Sequence, residues 1–579
     1  MEQWAWMWQR MPLVRVAIPL VAGMLVGRAA VDVWVADVVS LLLLGLLLMV
    51  LLLMVGVLTR GVRSVSRPEP SHTGMVDGAP RDAFGCQGAL HRLAGALLMM
   101  LFFVVGLALF QQRYVQVAGW CPQEGDVVEG VVVESPRERA RTWAVRLLQA
   151  GGGEVMVYVR KSELSSAEGD SGELRAGPVT SVCSLPVGRH VQLRAWDVRP
   201  TCPSLLEEGD SVDAFASYRA YLFYRSVVGT MYLFSGPLTA TDTLAPGGSG
   251  SQGWRGTVRS FVRQRYEAGF SEETAAMVEA MTMGDKSLLG QGVKEAFSTA
   301  GLSHLLALSG FHLSILLALL NLLLLRSWLP LRWRRAMVLV VVPVVWCYVW
   351  IVGAPASLVR AAIMCSLLQV GMAFGWETQM VNTLAAAAIV MVVADPLVLM
   401  QVGFQLSFAA MLGIACVGRP WLSRWGMWSR HRRGLVWRGV SMAVAACLIT
   451  LSASLLTLPL VAYHFGQVPL LSVVANVLGS LLSVLLMWGV VAWWLLGWIA
   501  PVAAWLSGLL SWATDALTSW AGWVAGLPFA SAAISLSAWE LAPVYAFIFA
   551  LLSYRFVRRP GPLYVALLSV IVLCLMRLA

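Results

Sequence analysis

Apolar stretches of about 20 residues, long enough to cross a hydrocarbon core, alternate along the chain with short connections that carry arginine. They begin near residues 12, 38 and 94, and again near 303, 336, 357, 380, 397, 438, 470, 502, 541 and 562. The pattern predicts a polytopic α-helical membrane protein of about 11–13 spans. The stretch 502–527 is the weakest, because Trp505, Trp512, Trp520, Trp523 and Asp515 equally suit an amphipathic helix lying at the interface. The stretch 562–577 either crosses or dips, which leaves the C-terminal side open. Residues 1–10 are rich in Trp and have no small-residue cleavage site, which argues against a removable signal peptide.

From Gly125 the period changes to two. Residues 127–133, 143–148, 154–160 and 190–198 alternate as strands do, with Pro136, the run 151–153 and the polar stretch 165–171 between them. Short strands at this density predict a small β-barrel or sandwich, and an OB-like barrel is the specific expectation. The expected domains are a three-span segment 1–112, an OB-like β domain 113–244, a linker with amphipathic helices 245–300, a channel core 301–530 and C-terminal membrane segments 531–579. Arg60, Arg63, Arg67, Arg81 and Arg92 make the loop 60–92 cytoplasmic by the positive-inside rule, so the β domain is extracytoplasmic. Counting spans onward puts the clusters at Arg326–Arg335, Arg419–Arg438 and Arg555–Arg559 inside as well.

Composition narrows the class. At 58% apolar and 13% charged residues, with a mean hydropathy of +0.72, the chain is not a water-soluble enzyme, a disordered protein or a secreted disulfide scaffold. The net charge of +10 is almost wholly arginine, since Lys161, Lys286 and Lys294 are the only lysines. Loop arginines account for it, though an anionic partner would use the same charge. Cys86, Cys347, Cys365, Cys416, Cys447 and Cys574 read as small hydrophobes. Cys121, Cys183 and Cys202 share the extracytoplasmic region, where one disulfide is expected and the pairing is open.

In that region Trp143, Tyr158 and Trp196 would serve as stacking platforms for single-stranded nucleic acid, with Arg146, Arg160 and Arg194 as its cations. The same aromatics equally suit a core, and Glu129, Glu134, Glu154 and Asp197 nearly cancel the bases.

Polar residues recur inside the apolar segments. His304, Leu308 and His312 repeat every four residues, which on an unbroken helix puts both imidazoles on one face, about 12 Å apart and too far to share a metal ion. Ser309 and Gly310 between them allow close helix approach or a local break. Arg360 follows Ser357 inside a span, where a cation at the bilayer centre costs about 2.5–3.5 kcal/mol. Gln401 and Gln405 share a face in a segment opened by Asp395 and Pro396. Farther on, His464 and Asn476 flank the end of the ninth span. Singly, each reads as an interhelical hydrogen bond. Together they predict a hydrated conduit with almost no carboxylates, which suits a polyanion better than a proton- or cation-coupled substrate. Its expected lining is Ser303, His304, Ser309, Gly310, His312 and Arg360, with Gln401, Gln405, His464 and Asn476 opposite.

These segments resemble a known family. GLSHLLALSGFHLSIL (301–316) is similar to the signature of the ComEC-type competence proteins, and AMTMGDKSLLGQGVKEAFSTA (280–300) resembles the approach to it, with Lys286 where Arg is common. SLVRAAIM (357–364), DPLVLMQVGFQLSFAAMLGI (395–414), TLPLVAYHFGQVPLLSVVAN (457–476) and AFASYRAYLFYRSVVGTMYL (214–233) follow the same resemblance. It implies an inner-membrane channel that imports single-stranded DNA in natural transformation. It also implies a cytoplasmic helicase-like motor, a periplasmic DNA-receptor protein and membrane lipids as partners. Longer members add a metallo-β-lactamase-like domain with a His-x-His-x-Asp-His motif, which the seven histidines here do not form. The expectation is therefore no enzyme activity, no metal and no cofactor, with strand degradation left to a separate nuclease. Gly284-Asp285-Lys286-Ser287 lacks the spacing of a phosphate-binding loop. The rivals are a flippase or transporter of a small anionic or lipid-linked substrate, and an intramembrane hydrolase using Ser309 with a histidine, which has no carboxylate to orient the base.

Overall fold

The computed structural model describes residues 11–29, 82–119, 127–133, 137–138, 142–149, 153–160, 189–194, 198–200, 222–225, 227–233, 239–244, 251–323, 331–375, 379–429, 434–557 and 561–578. Two compact units emerge, Met1–Asp242 with Ala385–Leu399, and Thr243–Leu384 with Met400–Ala579. The span expected near 38, the arginines of the loop 60–81, Trp196 and Cys121, Cys183 and Cys202 fall outside the described residues.

In the first unit, helix α1 (Pro12–Ala29) packs on α2 (Asp82–Ala118). Gly23 and Gly27, four apart on one face, let the backbones meet: a side chain on Gly23 would strike the Phe103 carbonyl, and one on Gly27 would come within 3.2 Å of the Leu107 carbonyl. The end of α2 turns aromatic, with Tyr114 4.9 Å from Phe223. Strands β1 (Val127–Val132), β2 (Arg137–Glu138), β3 (Thr142–Gln149), β4 (Glu154–Arg160), β5 (Arg189–Arg194), β6 (Val198–Pro200), β7 (Val227–Leu233) and β8 (Thr239–Leu244) form one sheet. Its order is β6-β7-β4-β3-β1-β5-β8, with β2 on β3. Strands β1 and β3, β1 and β5, β2 and β3, β3 and β4, and β6 and β7 pair antiparallel, whereas β4 and β7 pair parallel. Strand β4 lies between two neighbours and buries Val155, Val157, Tyr158 and Val159, so it fills both faces. The strands expected at 127–133, 143–148 and 154–160 are present, the fourth is divided into β5 and β6, and β7 and β8 were not foreseen.

The second unit opens with α3 (Ser251–Gly269), α4 (Glu272–Met283), α5 (Gln291–Thr299) and the single turn α6 (Ser303–Leu306). Helix α3 is amphipathic. Helix α4 is not: residues 274–282 are all buried, because α3, α6 and two later helices wrap it. It starts at Ser271 with Glu272 and Glu273 in its first turn, where the helix dipole favours acid, and stops at Gly284, whose φ of 76° is left-handed. Then come α7 (Gly310–Leu323), α8 (Leu331–Val352), α9 (Ala356–Phe374), α10 (Met380–Ala394, of which residues 385–394 belong to the first unit), α11 (Val402–Gly413), a π turn (Ile414–Gly418) and α12 (Arg419–Ser429). The last elements are α13 (Leu435–Phe465), β9 (Gln467–Pro469), α14 (Ser472–Leu496), α15 (Ala500–Ala525), β10 (Ser531–Ala533), α16 (Ala538–Val557) and α17 (Gly561–Leu578).

The main core surrounds α4, where Met277, Met281, Phe297, Leu305, Leu486, Leu510 and Leu517 meet. Polar tethers join it to α8: Tyr348 donates to the Thr282 carbonyl at 2.9 Å, and Arg259 of α3 donates to the Val352 carbonyl at 2.7 Å, a cation on a helix C-terminus. Among the described residues, Leu97–Ala118, Ala356–Phe374, Val402–Ser429, Val436–Phe465 and Ser472–Leu496 are long and apolar enough to cross a membrane, and five shorter apolar helices accompany them. This is compatible with a polytopic helical membrane protein. Helix α15 falls in neither group. It buries Leu506, Leu510, Leu517 and Val524 and exposes Trp505, Trp512 and Trp523.

Candidate functional site

Five helices of the second unit pack in a cycle: α7 on α9, α9 on α11, α11 on α13, α13 on α14, and α14 back on α7. Most of the expected conduit residues lie at the seams of this cycle.

The first seam departs from the expected geometry. The stretch 303–325 is not one helix, because Ala307 is extended (ψ 139°) and the chain restarts at Gly310. His304 and His312 therefore do not share a helical face. His304 sits on α6 with an exposed side chain beside exposed Ser303, and its Nδ1–H donates to the Gly301 carbonyl at 3.3 Å. His312 is fully buried (0% exposed). Its Nδ1 accepts from the Ser309 amide at 3.3 Å and lies 3.2 Å from Ser309 Oγ. Its Nε2 is enclosed with no partner among the described residues. The side chain-to-backbone bond competes with the helical ladder and stabilises the break.

Helix α9 crosses to both neighbours. Ser357 Oγ donates to the Leu308 carbonyl at 2.9 Å, holding the broken segment. Arg360, 5% exposed, donates through Nη1 to the Ser407 carbonyl of α11 and lies with its Cζ 5.8 Å from the Phe408 ring centroid. Its Nη2 rests against Gly310, where a Cβ would come within 2.9 Å. Ser407 and Phe408 carried no signal in the sequence, since one acts through its backbone and the other is an ordinary apolar residue.

On α11, the expectation that Asp395 and Pro396 open the glutamine helix is corrected. Asp395 Oδ1 accepts from the Leu397 amide at 3.2 Å and caps a separate 3₁₀ turn, Pro396–Met400. Gln401 is the N-cap residue of α11, with an extended backbone, rather than a member of its face. Gln405 does face α13, where its Oε1 accepts from His464 Nε2–H at 2.8 Å. Helix α11 buries only Phe404 and Gly413 completely, so most of its surface is neither fully packed nor fully open. On α14, the Asn476 Oδ1 is buried with no partner among the described residues. One turn on, Gly479 admits Leu302 and Leu305 from the segment around α6, where a Cβ would lie 3.1 Å from Leu302.

The site residues thus form linked pairs around the cycle and do not converge on one point. Among the described residues no group of three His, Cys, Asp or Glu side chains gathers as a metal-ligand set. In the first unit, Arg146 pairs with Glu154 and donates to the Arg225 carbonyl at 3.4 Å. Tyr158 is 4% exposed, so its ring is core and not a stacking platform. Arg160, Arg194 and Trp143 occupy strand positions, and their side chains lie outside the described residues.

The sequence model of the competence-protein family matches residues 281–558, which includes every helix of the cycle. Among curated relatives, the chain is 28% identical over 207 residues to ComE operon protein 3 of Bacillus subtilis, covering 36% of this chain and 24% of that one. It is 26% identical over 253 residues to competence protein ComA of Neisseria gonorrhoeae, covering 42% of this chain and 33% of that one. The matched region thus spans a third or less of either relative. No solved structure matches the chain. That match, just under half of the chain, takes in the whole helical cycle and, with the two relatives, supports a ComEC-type competence protein of transmembrane character.

Proposed function

We propose that this chain is an inner-membrane channel that passes single-stranded DNA into the cytoplasm during natural transformation, without nuclease activity of its own. The observation that carries the reading is the closed cycle of five helices whose seams hold enclosed polar atoms with no partner among the described residues: Arg360 Nε, His312 Nε2 and Asn476 Oδ1. Buried polar atoms are nearly always hydrogen-bonded, so such atoms around one cycle suit a polar occupant, water or a threading strand. Conduction needs contacts weak enough to release. A single buried guanidinium, neutral imidazoles and amides meet that need better than a row of fixed cations would.

The strand-rich unit lies outside the cytoplasm in this reading, and the driving force comes from a helicase-like motor on the cytoplasmic side. The matching family model and the relative from Neisseria gonorrhoeae, whose names speak of competence, support the role. The hydrolase rival loses ground at His312, because among the described residues its Nε2 has no partner and no carboxylate orients a Ser309–His312 dyad.

The test scores two compartments. In a strain lacking this chain, donor DNA accumulates outside the inner membrane and transformants fall to background. His304→Ala, His312→Ala and Arg360→Ala, at wild-type protein level, each lower transformation without lowering uptake to the periplasm. Normal transformation in the deletion strain overturns the reading, and normal transformation in a variant removes that residue from the path.

A further inference from the structure

Arg360 is a buried cation with no counterion among the described residues. At 5% exposure it makes one hydrogen bond among the described residues, to the Ser407 carbonyl, and its Nε is enclosed with no partner. Removing such a charge from water is expensive unless an anion or several acceptors meet it. One carbonyl is a small fraction of what five guanidinium N–H donors can use.

The guanidinium rests against the start of α7. This 14-residue helix begins at Gly310, and the first of its amides to find an acceptor is that of Leu313, which donates to the Ser309 carbonyl at 3.3 Å. The N–H groups of Gly310, Phe311 and His312 have no acceptor among the described residues. A helix start with free amides carries about half a positive charge and is a ready anion site. Gly310 is the contact point, because any side chain there would press on Arg360 Nη2. The glycine thus lets a fixed cation reach a helix N-terminus, two positive elements that repel each other unless something negative joins them.

We infer that Arg360 and the first turn of α7 form a station for one phosphate-type oxyanion. Resting on the conduit reading above, that oxyanion is a single backbone phosphodiester of the strand. The planar fork of arginine suits phosphate oxygens, and one such station holds a passing strand without trapping it. A phospholipid headgroup offers the same phosphodiester, so the experiment separates the two sources.

The full chain is reconstituted in nanodiscs of zwitterionic lipid and titrated with a fluorescent 20-nucleotide oligo-dT across a salt series. Each phosphate contact on a single strand contributes about 0.7 to the slope of log K against log salt. Arg360→Gln lowers that slope by about 0.7 and weakens binding about tenfold. Gly310→Ala shifts both in the same direction with Arg360 intact, and carries the comparison where Arg360→Gln does not fold. An oligo-dT with neutral methylphosphonate linkages binds wild type and Arg360→Gln alike. Equal slopes for wild type and both variants overturn the station while leaving the conduit standing, as does a difference that survives with the neutral strand. An effect of Arg360→Gln confined to nanodiscs of anionic lipid assigns the station to a headgroup and overturns the strand. A wild-type chain that binds no oligonucleotide overturns the conduit and the station together.

Discussion

Glu279 is a carboxyl that the fold holds at 7% exposure in the middle of α4. Burial pushes it above the ordinary carboxylate range, and Arg263 of α3 pulls it only part of the way back, against Asp285 and Glu267. The folded protein therefore keeps this proton at pH values where the unfolded chain, with a carboxyl near 4.3, has released it. A raised folded value contributes stability that is full below the unfolded value and is lost as pH rises through the folded one. Glu279→Gln, which mimics the protonated form, should melt with wild type at pH 4 and a few degrees above it at pH 8, measured in detergent. A variant that melts lower at both values would mean that Arg263 needs the carboxylate more than burial penalises it.

The π turn Ile414–Gly418 acts at the scale of the element. Its i→i+5 bonding, closed by the Arg419 amide on the Ile414 carbonyl, stacks residues five apart that an α-helix would turn to different faces. Gly413 and Gly418 consequently both face fully buried Ser452 of α13. A Cβ on Gly413 would strike the Ser452 backbone carbonyl, whereas one on Gly418 would meet the Ser452 Oγ at 2.5 Å. Backbone cannot yield and a hydroxyl can be removed. Gly413→Ala should therefore cut folded yield by roughly tenfold or more, a cost of about 1.4 kcal/mol or above, with no rescue by Ser452→Ala. Gly418→Ala should cost less and be restored by Ser452→Ala, read as protein level and melting temperature. Equal behaviour of the two glycines would mean that the π turn does not bring them to one face.

Hydropathy could find the long helix that carries this turn, but not the turn itself, because Ile414, Ala415, Cys416 and Val417 are as apolar as their helical neighbours. The break before α7 was only one of two readings that Ser309 and Gly310 allowed, close helix approach being the other. Leu305, Leu306, Ala307 and Leu308 continue the apolar run, and the interruption lies in the backbone and in one imidazole bonded back to Ser309. Arg360, Gln405 and His464 were legible because polar groups are costly among apolar ones and so mark themselves. Their partners were not, since the Ser407 carbonyl and Gly310 offer no side chain to read. Tyr158 was misleading because alternation places a residue on a face of a strand without saying whether another layer covers it, and β4 is covered on both sides.

At the scale of the whole molecule, the pair α16 and α17 decides on which side of the membrane the far end of α17 lies. Helices α16 and α17 pack together with only residues 558–560 between them. At the far end of the pair, Arg577 Nε lies 2.5 Å from Glu540 Oε1 and its Nη2 donates to the Ser535 carbonyl at 3.1 Å. Helix α17 therefore returns along the full length of α16 and does not dip partway. Its 18 residues rise roughly 27 Å, close to a hydrocarbon core of about 30 Å. Arg555, Arg558 and Arg559 mark the turn as cytoplasmic by the positive-inside rule, so Ala579 belongs on the opposite side. Alkaline phosphatase fused after Ala579 should be active and a fluorescent protein there dark, with the two reporters reversed when inserted at 558–560. A bright fluorescent fusion after Ala579 would keep α17 on the cytoplasmic face. The Arg577–Glu540 pair would then have to lie at that face as well, and α16 could not be a crossing helix.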